Sequence, residues 1–152
     1  MNPKLKLTLA KVFALVGLLA LWAPILFMFL TAIVGSILKK VLLFDYLMLA
    51  EFFYIVIPGL VLLFLSSLFA GRYQKFFGWG GALSIILLVG TLTLAAVSGL
   101  ASGAIPSEGT VFNIVIAAIV VYNILVVALA VLSIALVKKL FQKQAPAEAE
   151  AE

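Results

Sequence analysis

The chain contains no cysteine and no histidine. That excludes disulfides, thiolate nucleophiles, Ser–His and Cys–His catalytic pairs, HExxH sites and imidazole metal ligands. The missing cysteine does not identify a redox compartment. Charge is scarce as well: charged residues make up 11% of the 152, against about 25% in a soluble domain. Soluble folding needs enough polar surface to cover the outside. A chain that is 66% hydrophobic, with mean hydropathy +1.35, lacks it. Lipid removes the requirement, because apolar side chains can then face outward all round a helix.

No catalytic set assembles from what remains. Gly78-Trp79-Gly80-Gly81 has neither the spacing nor the preceding strand of a dinucleotide-binding turn, and there is no P-loop. Gly-Leu-Ala-Ser-Gly at 99–103 carries a serine between glycines, but no base accompanies it. Asp45 and Glu51 are six residues apart, about 240° around a helix, so they do not form a dyad. The expectation is a protein that is not an enzyme and needs neither cofactor nor metal.

What is present is four long apolar segments. They are Val12–Leu38, a stretch within Val41–Ala70, Trp79–Ile105 and Val111–Val137. Each exceeds the roughly 20 residues that cross ~30 Å of hydrocarbon as a helix. They are continuous rather than alternating, and lone strands cannot satisfy their backbone in lipid. The expected fold is therefore an all-α transmembrane four-helix bundle. It has a basic N-tail (1–11), one membrane domain (12–137, spans near 12–38, 46–70, 79–105 and 111–137) and a C-tail (138–152). That tail is basic and then acidic, ending Ala-Glu-Ala-Glu-Ala-Glu, a composition typical of disorder. The first apolar run is too long for a cleaved signal, and Pro24 follows its one A-x-A-like site, so it reads as a retained anchor.

Net charge is +4. The basic residues flank apolar runs, which points to topology and anionic headgroups rather than nucleic acid. With four spans, Lys4, Lys6, Lys11, Arg72, Lys75, Lys138, Lys139 and Lys143 share one side, and Lys39 and Lys40 the other. This bias places both termini in the cytoplasm and the chain in the cell membrane. Tyr73 and Trp79 fall at the expected inner interface and Tyr46 at the outer one.

The Val41–Ala70 segment is too long for one upright span. Asp45 is a suitable N-cap, which would start the helix at Tyr46. Hydrocarbon covering Phe52 to Ala70 would span ~28 Å. Glu51 then sits at the outer interface, where a helix N-terminus favours it. The competing expectation is a buried coupling carboxylate, with Tyr54, Ser98 and Asn113 at similar depth. Tyr122 and Asn123, twelve and thirteen residues beyond Thr110, fall near mid-span with Trp22 and Thr91. An Asn that lipid cannot satisfy is expected to face another helix, as interhelical glue or as part of a polar ligand pocket. Pro24 and Pro58–Gly59 lie inside spans, where proline is commoner than in soluble helices.

The third segment carries small residues in a stripe, Thr91, Ala95, Ser98 and Ser102, with Gly99 and Gly103 as a G-x-x-x-G beside it. Small residues let helix backbones approach, so this face is expected to pack against another helix, within the chain or between copies. The partners expected are the bilayer and either another membrane protein or the chain itself. The function expected is that of an interaction, accessory or protective membrane subunit. The alternative is a small ion- or proton-coupled transporter or channel using Glu51.

Overall fold

Within a bilayer, long runs without charge would have only their own backbone to hydrogen-bond with, and the α-helix is the local solution. The computed structural model describes residues 3–39, 52–104 and 109–142. The protein is all-α over these residues, with α1 Pro3–Lys39, α2 Phe53–Ala70, α3 Gln74–Val97 and α4 Thr110–Gln142. All four helices are long and apolar enough to cross a membrane. At 37, 18, 24 and 33 residues they measure roughly 56, 27, 36 and 50 Å. The expected cap at Asp45 and helix start at Tyr46 lie outside the described residues, as does Glu51.

The helices run up and down. The start of α1, the α2–α3 turn and the end of α4 meet at one end. There the Ser66 hydroxyl donates to the Ala10 carbonyl at 2.7 Å, and Phe13 packs on Phe69 with ring centroids 6.0 Å apart. Lys11 Nζ lies 4.8 Å from the Phe141 ring centroid and Lys139 Nζ lies 5.0 Å from that of Tyr73. At the other end Phe27 meets Phe52 edge-on at 5.7 Å. The basic residues of three chain segments thus share one end of the bundle.

Each helix buries a narrow face at steps of three and four residues. On α1 it is Ala10, Ala14, Gly17, Leu21, Ile25 and Met28; on α3 it is Phe77, Gly81, Ser84, Leu88 and Thr91. On α4 it includes Tyr122, Val126, Leu129, Ser133, Leu136 and Leu140. This spacing is the signature of helices packed with a shallow left-handed crossing. Outside these seams the surface is apolar, as Ile33, Ile86, Val97 and Ile124 illustrate.

The tightest packing joins α1 to α2. A Cβ on Gly17 would stand 2.7 Å from Leu63 Cγ and 3.0 Å from the Gly59 carbonyl oxygen. A Cβ on Gly59 would stand 2.6 Å from Leu21 Cδ1 and 2.9 Å from Ala20 Cβ. Two glycines therefore let two backbones touch. On α3, Gly80 plays a milder part, since its added Cβ would meet only the flexible end of Leu129, at 2.8 Å.

The turn between α2 and α3 is short because Gly71 adopts a left-handed conformation (φ 67°). Its N–H donates to the Leu68 carbonyl, and the Arg72 N–H donates to that of Ser67. This closes the carbonyls that a helix end leaves open. At the end of α3, Gly99 (φ 80°) and Gly103 (φ 72°) also turn left-handed. The third helix consequently ends at Val97, eight residues before the end of the apolar run at Ile105. Hydrophobicity persists there, but two glycines at positive φ break the helical register.

The α1–α2 contact yields a stability prediction. Gly17→Ala and Gly59→Ala should each destabilise the fold by about 1–3 kcal/mol through overpacking. Gly90→Ala, whose new methyl meets nothing within 4 Å, should stabilise it by up to about 1 kcal/mol through helix propensity. Unfolding in mixed micelles followed by circular dichroism measures all three. Equal stability of Gly17→Ala and wild type would remove the close approach as a stabilising element.

Candidate functional site

Most polar groups along the helices fall into three sets: those spent on their own helix, those that tie helices together, and those at the surface. In the first set, Ser84 donates to the Gly80 carbonyl (2.8 Å), Thr91 to Leu87 (2.6 Å), Ser67 to Phe64 (2.7 Å) and Ser133 to Ala130 (2.6 Å). Thr31 donates within α1, to Phe27 and Met28. A hydroxyl that bonds back to its own helix can sit in an apolar interior without a further partner.

The second set includes Ser66 and Trp22. Ser66 joins α2 to α1 through Ala10. Trp22 joins α1 to α4, its Nε1–H donating to the Ala130 carbonyl at 3.2 Å. That carbonyl also accepts the Ser133 hydroxyl. Trp22 therefore works as a structural tether, with its apolar body against the core.

The expected site residues that the structure describes differ in burial. Tyr54 is 76% exposed on the first turn of α2, its ring stacked on Phe53 with centroids 3.7 Å apart. Asn113 is exposed on the first turn of α4. Ser98 is half-buried at the end of α3, its hydroxyl on the Ala95 carbonyl at 3.3 Å. Tyr122 is only 2% exposed and belongs to the core, while its neighbour Asn123 is half-buried. The described structure thus separates Tyr54 and Asn113, on the surface, from Tyr122 inside. The Tyr122 hydroxyl is buried and has no hydrogen-bond partner among the described residues.

The small-residue stripe divides in the same way. Thr91 is buried and Ala95 half-buried on α3. Ser98, Gly99, Ser102 and Gly103 stand at or beyond the helix end, in a turn where the Ala101 N–H donates to Ala95 and the Ala104 N–H to Gly99, both at 2.9 Å. Ser102 and Gly103 are exposed. The glycines here serve the turn rather than a helix face. The contacts that sequence reasoning did not single out are Gly17, Ser66 and Ser84. Gly17 stood four residues before Leu21 and seven after Ala10, a spacing available in the sequence, but its partner in α2 was not.

Among the described residues no group of three or more acidic, histidine or cysteine side chains is placed to hold a metal ion. All six carboxylates of the chain lie outside those residues. The arrangement described can bind helices to one another. Its open grooves are apolar and lie along α3 near the basic end.

Two substitutions separate turn from packing. Gly99→Ala forces a methyl-bearing residue into left-handed backbone and should cost about 1–2 kcal/mol. Ser102→Leu, at an exposed turn position, should stay within about 0.5 kcal/mol of wild type. Loss of the Trp22 tether in Trp22→Phe should cost about 0.6 kcal/mol, the mean for hydrogen bonds between membrane helices. Mixed-micelle unfolding reads each value, and a large loss in Ser102→Leu would return the turn to the packed interior.

Comparison with protein-family models, curated proteins and solved structures finds no match to this chain.

Proposed function

We propose that the chain is a multi-pass cell-membrane protein with four transmembrane helices and both termini cytoplasmic. It acts as an interaction, accessory or protective subunit, not as an enzyme. The observation that carries this reading is how the interior spends its polar groups. Buried hydroxyls of Ser67, Ser84, Thr91 and Ser133 close on their own helices, and Ser66 and Trp22 tie helices together. Such an interior supports packing rather than passage of a polar solute. The apolar outer surface suits lipid or another helix. The gathering of Lys11, Arg72, Lys75 and Lys139 at one end supports the cytoplasmic placement of that end.

A second reading is a small ion- or proton-coupled transporter or channel using Glu51. One observation favours it, the buried Tyr122 hydroxyl without a partner among the described residues. A polar group at that depth suits a bound water or ion.

Two experiments test these statements. Reporter domains active only in the cytoplasm should report from both termini, and an external signal from either end would refute the topology. Purified protein in liposomes under an imposed pH gradient should leak protons and monovalent cations no faster than empty vesicles. Glu51→Gln should then change neither leak nor stability. A protein-dependent flux that Glu51→Gln abolishes would put the transporter first and overturn the accessory reading.

A further inference from the structure

Two apolar grooves flank Trp79. One runs between α3 and α4, has a volume of about 440 Å³ and is walled by Phe76, Gly80, Leu125, Ala128 and Leu132. The other runs between α2 and α3, has a volume of about 450 Å³ and is walled by Phe64, Leu68, Gly78 and Ala82. Lys75 and Trp79 line both. These two residues are one turn apart on α3, so ammonium and indole stand one beyond the other on the ridge between the grooves. Trp79 is 80% exposed. A third recess, of about 300 Å³, adjoins them at the turn and is lined by Gly71, Tyr73, Gln74, Lys75 and Phe76. Lys75 is common to all three.

The electrostatics at this point have one sign. Arg72 is exposed in the adjoining turn, and Lys139 lies over the Tyr73 ring. No carboxylate is present among the described residues to face them. The first turn of α3 also begins here, and the amide N–H groups of Gln74, Lys75 and Phe76 precede the first helical hydrogen bond, from the Phe77 N–H to the Tyr73 carbonyl.

We propose that Lys75 and the paired grooves form a site for one diacyl anionic phospholipid from the leaflet at the basic end. The phosphate rests on the Lys75 ammonium in the turn recess, within the field of Arg72 and Lys139. One acyl chain lies on each side of Trp79. Two apolar grooves that share a single cation match two chains that share a single anionic head. A partner helix would need one continuous face, and the projecting Trp79 interrupts it. The acidic end of this chain could meet Lys75, but its Ala-Glu repeat offers only methyl groups to the grooves. The site rests on the proposed membrane insertion and not on the accessory role.

The test is fluorescence quenching in neutral phosphatidylcholine vesicles. They carry equal fractions of either phosphatidylglycerol or phosphatidylcholine with brominated acyl chains. The Trp79 signal is taken as wild type minus Trp79→Phe, since Trp22 is the only other tryptophan. Brominated phosphatidylglycerol should be enriched about fivefold at Trp79 over its neutral counterpart, the worth of one basic residue at a membrane surface. The enrichment should fall at high salt and vanish in Lys75→Gln. Ala128→Phe and Ala82→Phe, which fill one groove each and leave the charge intact, should both reduce it. Equal quenching by the two lipids in wild type would overturn the site while leaving insertion standing. Enrichment that survives Lys75→Gln, or that is untouched by both groove-filling variants, would overturn it too. Absence of quenching by either lipid would overturn the insertion on which the site rests.

Discussion

The backbone of α1 meets the backbone of α2 at Gly17 and Gly59, and the rest of the bundle is arranged around that contact. In lipid the hydrophobic effect does not drive helices together, because the tails are as apolar as the side chains. Close packing must supply the attraction, and it grows as backbones approach. Removing two side chains at one level brings α1 and α2 together over most of their shared length. The contact then positions what lies on either side of it. Toward the basic end it sets the Ser66 hydroxyl on the Ala10 carbonyl and Phe13 on Phe69. Toward the opposite end it sets Phe27 against Phe52. Gly59 follows Pro58 directly, so the backbone approaches α1 beside a residue that lacks an N–H donor.

With α1 held on α2, α1 can present Trp22 to α4, and the Ala130 carbonyl becomes the point where the second helix pair attaches. The buried face of α3 is correspondingly undemanding. Gly81, Ser84 and Thr91 put little volume between α3 and its neighbours, and their hydroxyls are already satisfied at home. Serine and threonine in this role combine small size with internal hydrogen bonding. They allow a close seam without leaving a polar group that needs water. The Tyr122 hydroxyl departs from this pattern within the described interior, and it carries weight for a transport reading.

The four helices were legible because uncharged apolar runs of this length are long enough to cross a bilayer, where a lone segment could satisfy its backbone only as a helix. Their ends were less so. Hydropathy continues from Val97 to Ile105 while the helix does not, because Gly99 and Gly103 take up left-handed backbone. Composition records what a residue can be buried in, whereas a turn depends on φ. The stripe from Thr91 to Ser102 had the right period. Its packed portion lies one direction along the same series, at Phe77, Gly81, Ser84, Leu88 and Thr91. Period identifies a face; only the neighbouring helices decide which length of that face is covered. The Gly17–Gly59 contact was illegible for a related reason. A lone glycine in an apolar run has no signal until its partner is known. Glu51, on which the two functional readings divide, lies outside the described residues.

The two ends of the bundle are built on different physics. At the basic end, cations rest over aromatic rings, a left-handed glycine closes α2, and Tyr73 itself takes left-handed backbone (φ 58°) to start α3. A tyrosine there is strained, and its ring contacts both the Lys139 ammonium and the Phe76 ring. The strain is offset by contacts that also gather Lys11, Arg72, Lys75 and Lys139 onto one rim. Like charges on a rim repel, and among the described residues no carboxylate faces Arg72, Lys75 or Lys139. An anionic surface would relieve them at once, so the charge pattern that orients the proposed spans also stabilises the inserted end. At the opposite end α3 stops early, Val97 is 82% exposed, and the turn after it is open. Apolar surface for a partner is open on two helices of that half, at Leu30, Ile33 and Ile37 of α1 and at Ile86 and Val97 of α3.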